Sequence, residues 1–441
     1  MKKINTFTLL LAMTLLGSLA VFLQSCNDKC DETYTYTSWQ PVYLSYAELR
    51  GAVASETARE LSNTGQIYFR APYLFINELN EGVHIIDNSN PANPQNIGFI
   101  HIPGNLNIAV RDQTLFADSY VDLIAININD PLGATEIGRI EDVFERHYTH
   151  NPEEGLVINW EEVELTQEND CVGNQNVVAP WFRNNDIVFA DQLNSLDPTF
   201  SLESTTNSSS PPPTTSSAPS VGIGGSLARF TITQNRLYAI TWNEMLTFDI
   251  LTPANMEKKG DNIDIGWGIE TLYPFGNYLL IGSQTGMFVY SIDNPDVPTR
   301  VSEFTHVRSC DPVVAEGDYA FVTLRSGSAC QGFTNQLDVL DISNIEAPDL
   351  VKSYDMTNPH GLGIDNGTLF ICDGESGLKV YDANDVYNIS SNQLAHYDDI
   401  TALDVIPYNQ VLMLIGEGGL HQYSYADLEN IELMSTIPIV K

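Results

Sequence analysis

The chain has 441 residues, 43% of them hydrophobic, and its 57 Asp and Glu against 20 Lys and Arg give a formal charge of −37 at pH 7. A balance this acidic argues against nucleic acid and anionic lipid surfaces as partners, because both require a basic footprint. It is compatible with cationic ligands, divalent ions or solubility alone.

Lys2 and Lys3 precede an apolar stretch over 7–23, and Leu23-Gln24-Ser25-Cys26 matches a bacterial lipobox. Residues 1–25 therefore read as a lipoprotein signal peptide, with Cys26 the lipidated residue. Its removal takes away two lysines and no acids, which moves the charge from −37 to −39. One acyl chain anchors only marginally, so the several chains of a lipoprotein cysteine are what would hold the protein to a membrane. No other segment is long and apolar enough to span a bilayer. Residues 26–64 form a tether, and aromatics as dense as Tyr34, Tyr36, Trp39, Tyr43 and Tyr46 usually bury, so this segment is expected to pack against the main body of the chain.

From residue 65 to residue 440 one pattern recurs: a small-residue turn, an alternating apolar strand, an Asp, Asn or Ser, then a turn that most often carries Pro. The register residues are Asp87, Asn127, Asp249, Ser291, Asp341, Asp382 and Ser424, at steps of 40, 122, 42, 50, 41 and 42 residues. Periods of this size mark solenoids, propellers or arrays. Within a copy the apolar runs are too short for helices and alternate with period two. The sixth copy predicts strands over 362–364, 368–372, 378–381 and 393–396, with Asn366-Gly367 as the hairpin turn. Four short antiparallel strands cannot bury both faces alone, so neighbouring sheets must pack face to face. The fold class is all-β, a β-propeller over 65–440. Seven copies predict seven four-stranded blades, with six or eight also open, and an open sandwich or a string of β domains is the rival architecture.

The 122-residue step reads as one insertion over 142–224 between the second and third copies, including a Ser/Thr/Pro-rich tract around 204–220. In a four-stranded blade the connection from strand four to the next blade emerges on the same face as the loop between strands two and three. The insertion and the long loop 325–335 should thus overhang one face. Aligning the copies places Gly65, Leu106, Arg229, Glu270, Asp311, His360 and Leu403 at the channel mouth on that face. Arg229, Glu270, Asp311 and His360 are then a candidate ligand site, since convergent polar side chains in a concavity are the default location for one. The alternative is a ring of salt bridges and hydrogen bonds that closes the channel. Glu270, Asp311 and His360 are chemically able to ligate a metal, but their spacing is no recognised metal motif, and no metal or cofactor is implied.

Apart from Cys26, five cysteines remain, an odd number for an oxidising compartment. Cys310 precedes the first strand of the fifth copy and Cys330 follows its second, so the two should meet at one sheet edge as a disulfide. Cys372 alternates inside an apolar strand and reads as a buried free thiol. Cys30 and Cys171 could pair, though nothing in the spacing places them together. Nucleophile elbow, phosphate-binding loop and zinc motifs are all missing. Glu161, Glu162 and Glu164 could serve as acid/base groups, but a solvated strand face is the more natural account of them.

The copies resemble the LVIVD repeat, a propeller-type repeat of bacterial and archaeal surface proteins; Val339-Leu340-Asp341-Ile342-Ser343 and Ile85-Ile86-Asp87-Asn88-Ser89 lie nearest its consensus. More narrowly, the chain resembles a lipoprotein family of Bacteroidota that carries this repeat. That likeness rests on Tyr73-Leu74-Phe75-Ile76-Asn77-Glu78, Phe116-Ala117-Asp118-Ser119-Tyr120 and Cys310-Asp311-Pro312-Val313-Val314. The acidic residues after Cys26, interrupted by Lys29, resemble the surface-export signal of such lipoproteins. The expectation is an outer-membrane, lipid-anchored protein exposed on the cell surface, with the periplasmic face as alternative. It would act as a non-catalytic scaffold that binds an outer-membrane protein or a surface polysaccharide. The resemblance implies no established enzymatic activity; the rival is a hydrolase or lyase working at the channel mouth through His360, Asp311 and Glu270.

Overall fold

The computed structural model describes residues 31–144, 148–170, 221–306, 312–326 and 334–440. Cys26, Cys30, Cys171, Cys310, Asp311 and Cys330, and with them the predicted lipidation site and disulfide, lie outside the described residues. No described helix is long and apolar enough to cross a membrane. The described residues divide into two compact units, one of 31–43 with 157–170 and one of the others. In the first, strand Asp31–Leu44 lies beside strand Gly155–Asp170. Glu161, Glu162 and Glu164 sit on the latter, all three exposed, as a solvated strand face would have them.

The second unit is a β-propeller. Among the described residues it contains seven antiparallel sheets, each built from four consecutive strands. The innermost strands are Thr64–Arg70, Ile108–Arg111, Phe230–Thr233, Ile269–Phe275, Val313–Glu316, Leu362–Asp365 and Ala402–Tyr408. Each touches the next, and the last touches the first, so they form a closed ring. Radial repetition of this kind leaves only short strand edges, facing the channel or the outside. At the seam between first and last sheets, Asn88 and Gln422 exchange amide hydrogen bonds of 2.9 and 2.8 Å in a buried pair. The first sheet is widened by Ala54–Thr57 on its outer edge and by Ile223–Gly224 on its inner one.

The structure explains why the register residues recur. Each accepts a hydrogen bond from the backbone N–H two residues on: Ser89 to Asp87, Asn129 to Asn127, Leu251 to Asp249, Asp293 to Ser291, Ser343 to Asp341, Asn384 to Asp382 and Ala426 to Ser424, at 2.9–3.5 Å. Such a turn stops the third strand and bends the chain back without exposing an unsatisfied donor. The turn beyond it docks on a neighbouring sheet. Ser55, Tyr238, Ser302, Tyr354, Tyr397 and Ser435 donate to the carbonyls of Ala134, Pro295, Ile345, Val386, Ile431 and Pro91 respectively. Between the second and third sheets a glycine does this work instead. A Cβ on Gly138 would stand 2.2 Å from the Pro253 carbonyl oxygen.

Between sheets the apolar residues of facing strands are buried in continuous clusters, for example Leu115, Ile124 and Ile126 with Phe230, Leu237 and Phe248. The helix Tyr46–Gly51, begun by a capping box from Ser45 and Glu48, is tied to the second sheet through Arg50, which contacts buried Asp122 at 3.0 Å. A desolvated carboxylate of this kind needs its cations. Arg139 supplies another, at 2.7 Å.

Candidate functional site

The register of the second sheet fixes the two rims of the ring. Ile108, Ala117, Ile124 and Arg139 lie level, so the start of strand one and the end of strand four share a rim. Arg111, at the other end of strand one, pairs with Val221. The chain therefore leaves the second sheet at one rim and enters the channel at the opposite one. It then runs back through the channel over 221–228 to begin the third sheet at Phe230. The end of the insertion, 221–224, thus lies inside the ring and does not overhang a face as strand order led one to expect; backbone pairing with the first and second sheets sets its place.

That segment fills the channel as an added strand. Gly222 N donates to Val110 O at 2.8 Å, Gly225 N to Ile67 O at 3.2 Å, and Tyr68 Oη to Gly222 O at 3.1 Å. Its upper end is clamped by the seventh sheet. Asp404 Oδ1 accepts from Ser226 N at 2.8 Å and from Ser226 Oγ at 3.0 Å, while Ser226 Oγ accepts from Leu362 N at 2.6 Å. Glycines are required for the fit. A Cβ on Gly225 would lie 2.1 Å from Asp404 Oδ2, and one on Gly361 would lie 2.4 Å from Asp404 Oδ1. Beside the segment remains a cavity of about 20 Å³ lined by Tyr68, Ile223, Ala228, Phe230 and Pro274. Room on that scale suits about one water.

Around the mouth the predicted residues separate. Arg229 is half-buried, and its guanidinium donates to the Ile269 carbonyl at 2.5 Å. Glu270, also half-buried, accepts from Gln284 Nε2 at 3.2 Å. These two are brought together on the third and fourth sheets. His360 is 5% exposed and faces other partners. Its ring Nε2 lies 3.2 Å from Asn358 Nδ2, its N–H reaches Cys372 O at 2.6 Å, and its carbonyl accepts from Thr323 Oγ1 at 2.8 Å. Burial, with Arg325 adding to it, pushes the imidazole down to about 3, so it is neutral at physiological pH. Asp311 lies outside the described residues. Among the described residues no group of three or more His, Cys, Asp or Glu side chains is placed to hold a metal ion.

Sequence reasoning missed the groups that meet over the channel: Gln66, Asn107, Ser226 and Asp404. Gln66 Nε2 donates to Asn107 Oδ1 and to Leu227 O, both at 3.1 Å. Asn107 Nδ2 reaches buried Asp118, which also accepts from the Leu106 and Asn107 N–H groups. Inner strands of the first, fourth and seventh sheets each carry a bulge at this rim, between Thr64 and Ile67, Ile269 and Thr271, and Ala402 and Asp404. A bulge shifts which side chain points inward by one position, and no spacing rule shows it.

Asp404 is fully buried. Burial pushes its carboxyl up to about 8, against the hydrogen bonds from Val405 and Ser226, and Oδ2 has no partner. Cys372 is a buried free thiol, as its alternation predicts, and burial raises it well above the ordinary range.

On the rim of the third and fourth sheets an aromatic stands out from the surface. Trp267 is 75% exposed between buried Ile265 and Ile269. Its neighbours Gly266 and Gly268 have φ of +104° and +67°, a region open to glycine at no steric cost. Ile269 N donates to Trp242 O at 3.2 Å, Ile265 N to Asn243 O at 3.0 Å, and Gln284 N to Gly268 O at 2.9 Å. The loop is thereby fixed between two strand-two-to-three loops.

The LVIVD repeat family matches residues 66–100 and 308–356, so the chain carries LVIVD repeats, which are β-propeller-type repeats. No curated protein matches the chain. Among solved structures it is similar to the computationally designed Ika8 protein, at 8% identity and a TM-score of 0.49 over 88% of this chain and 93% of that one. It is also similar to the periplasmic gluconolactonase PpgL of Pseudomonas aeruginosa, at 8% identity and 0.48 over 88% and 97%. Kluyveromyces lactis Hsv2 gives 11% identity and 0.45 over 84% and 98%.

Proposed function

We propose that this chain is a non-catalytic binding scaffold of the cell envelope, held to the outer membrane by lipid on Cys26 and facing the cell exterior. The observation that carries the reading is the filled channel. Propellers bring side chains from several sheets together at the axis, and here that space is taken by the protein's own backbone over 221–228. Recognition then falls to the rim loops, which a rigid ring holds in fixed places. The rival hydrolase or lyase would use His360, whose ring is covered, neutral and turned to Asn358.

Crosslinking in intact cells, followed by pull-down through the lipidated protein, tests the reading. A stable envelope partner, protein or polysaccharide, is the expected result, together with loss of membrane association on Cys26→Ala. Turnover of a glycan or peptide library without any retained partner would sink it.

A further inference from the structure

We infer that Trp267 is the stacking platform of a glycan-binding site on this rim and that its ligand is a neutral hexopyranose unit of a polysaccharide; the inference rests on the scaffold reading above. Leaving an indole 75% exposed wastes burial that such a side chain usually gains. Here the exposure is built in. Ile265 and Ile269 anchor the loop on both sides, and Gly266 and Gly268 give the backbone the left-handed turns that lift the ring away from the sheet. The loop is backed as well as lifted: a Cβ on Gly268 would stand 2.7 Å from the Gln284 side chain. A ring presented in this way loses little entropy when a ligand covers it.

The polar groups that flank the loop select the ligand. Asp264 caps Gly266 N at 3.1 Å, Gln284 bonds Glu270, and Asn243 and Trp242 contribute the adjoining loop. Amides and carboxylates beside one exposed indole match a pyranose, which offers a C–H face for stacking and a hydroxyl edge for hydrogen bonding. A protein partner would call for a contiguous apolar patch. Other large apolar side chains of comparable exposure, such as Leu132, Leu251, Val297 and Tyr387, lie on the turns of the opposite rim. The carboxylates of Asp264 and Glu270, within a chain of charge −37, disfavour uronic acids and leave neutral sugars.

The test is titration of the full-length protein in detergent with cello-, manno- and malto-oligosaccharides and with depolymerised envelope polysaccharide, following indole fluorescence and heat. Oligogalacturonate serves as the anionic control. We expect saturable quenching by a neutral sugar, and weakening of at least about ten-fold, equivalent to about 1.4 kcal/mol, in Trp267→Ala. Trp267→Phe should recover part of the affinity, with an unchanged thermal midpoint in both variants. No binding of any neutral sugar, equal binding of galacturonate, or full affinity in Trp267→Ala would overturn the site. A protein partner captured independently of Trp267, with no sugar bound, would overturn the platform and leave the scaffold reading standing. Hydrolysis of the bound sugar would do the reverse.

Discussion

Asp404→Asn should make this propeller lose less stability in alkali than the parent protein, although it alters a buried side chain that Ser226 and Val405 hold by hydrogen bonds. The Asp404 carboxyl is held at about 8 in the folded state because burial disfavours its ionised form. In the unfolded chain it titrates near the ordinary 3.8. Folding thus takes up a proton between those two values, and stability falls as pH rises through that window. Each unit is equivalent to about 1.36 kcal/mol, so the window of roughly four units bounds the loss at about 6 kcal/mol. Asparagine keeps an acceptor for Ser226 and is neutral throughout, which removes the whole dependence. Any cost of burying its extra N–H groups is a constant offset. Thermal or urea midpoints of both proteins across pH 4 to 9 would show it: the variant gains on the parent steadily up to about pH 8, then the gap levels. A gap that stays flat with pH, or that favours the parent as pH rises, would refute the argument.

Gly225→Ala should lower the thermal midpoint sharply, because its Cβ must displace Asp404, whereas Gly51→Ala, with nothing within 4 Å, should leave it unchanged; differential scanning of the pair decides this. For Glu78 burial works upward, but the hydrogen bonds from His84, Ser62 and Asn63 prevail and hold the carboxyl at about 2. Its stabilisation is therefore present above about 4.5 and lost as pH falls toward 2, so acid unfolding curves of the parent and Glu78→Gln should converge over that range. Cys372 should resist thiol reagents in the folded protein and react on unfolding, which a timed labelling experiment in and out of urea would reveal.

The propeller was legible because its repeat is made of local chemistry. Asp87, Asp341 and their equivalents write a turn into the sequence through a side chain that bonds its own backbone two residues on, and Asn366-Gly367 writes a hairpin. Ser226 and Asp404 wrote nothing of the kind, since they meet only after 178 residues of chain have closed the ring. Val221-Gly222-Ile223-Gly224-Gly225-Ser226 falls outside the period, and the reason for Gly225 is its close approach to Asp404. The bulges at the rim hid the inward positions in a different way. They moved Asp404 and Gln66 into the place where alignment put Leu403 and Gly65. Trp267 carried a visible signal, an aromatic between two glycines in a strand-four-to-one connection, which composition alone does not distinguish from a core residue.

The strand inside the channel also bears on the order of assembly. Chains rarely thread through closed loops, so residues 221–228 must be in position before the ring shuts around them. The first and last sheets meet through side-chain packing, the Asn88 and Gln422 pair and a short bridge from Leu61 to Ile439. The seventh sheet is accordingly the door, and it is the last of the seven to be made. Asp404 sits on that door with its carboxyl aimed at Ser226, so closure and latching become one event late in synthesis. A protein shortened before Ala402 would be an open arc with an unguarded strand along its inner edge, a shape prone to pairing with whatever chain it meets.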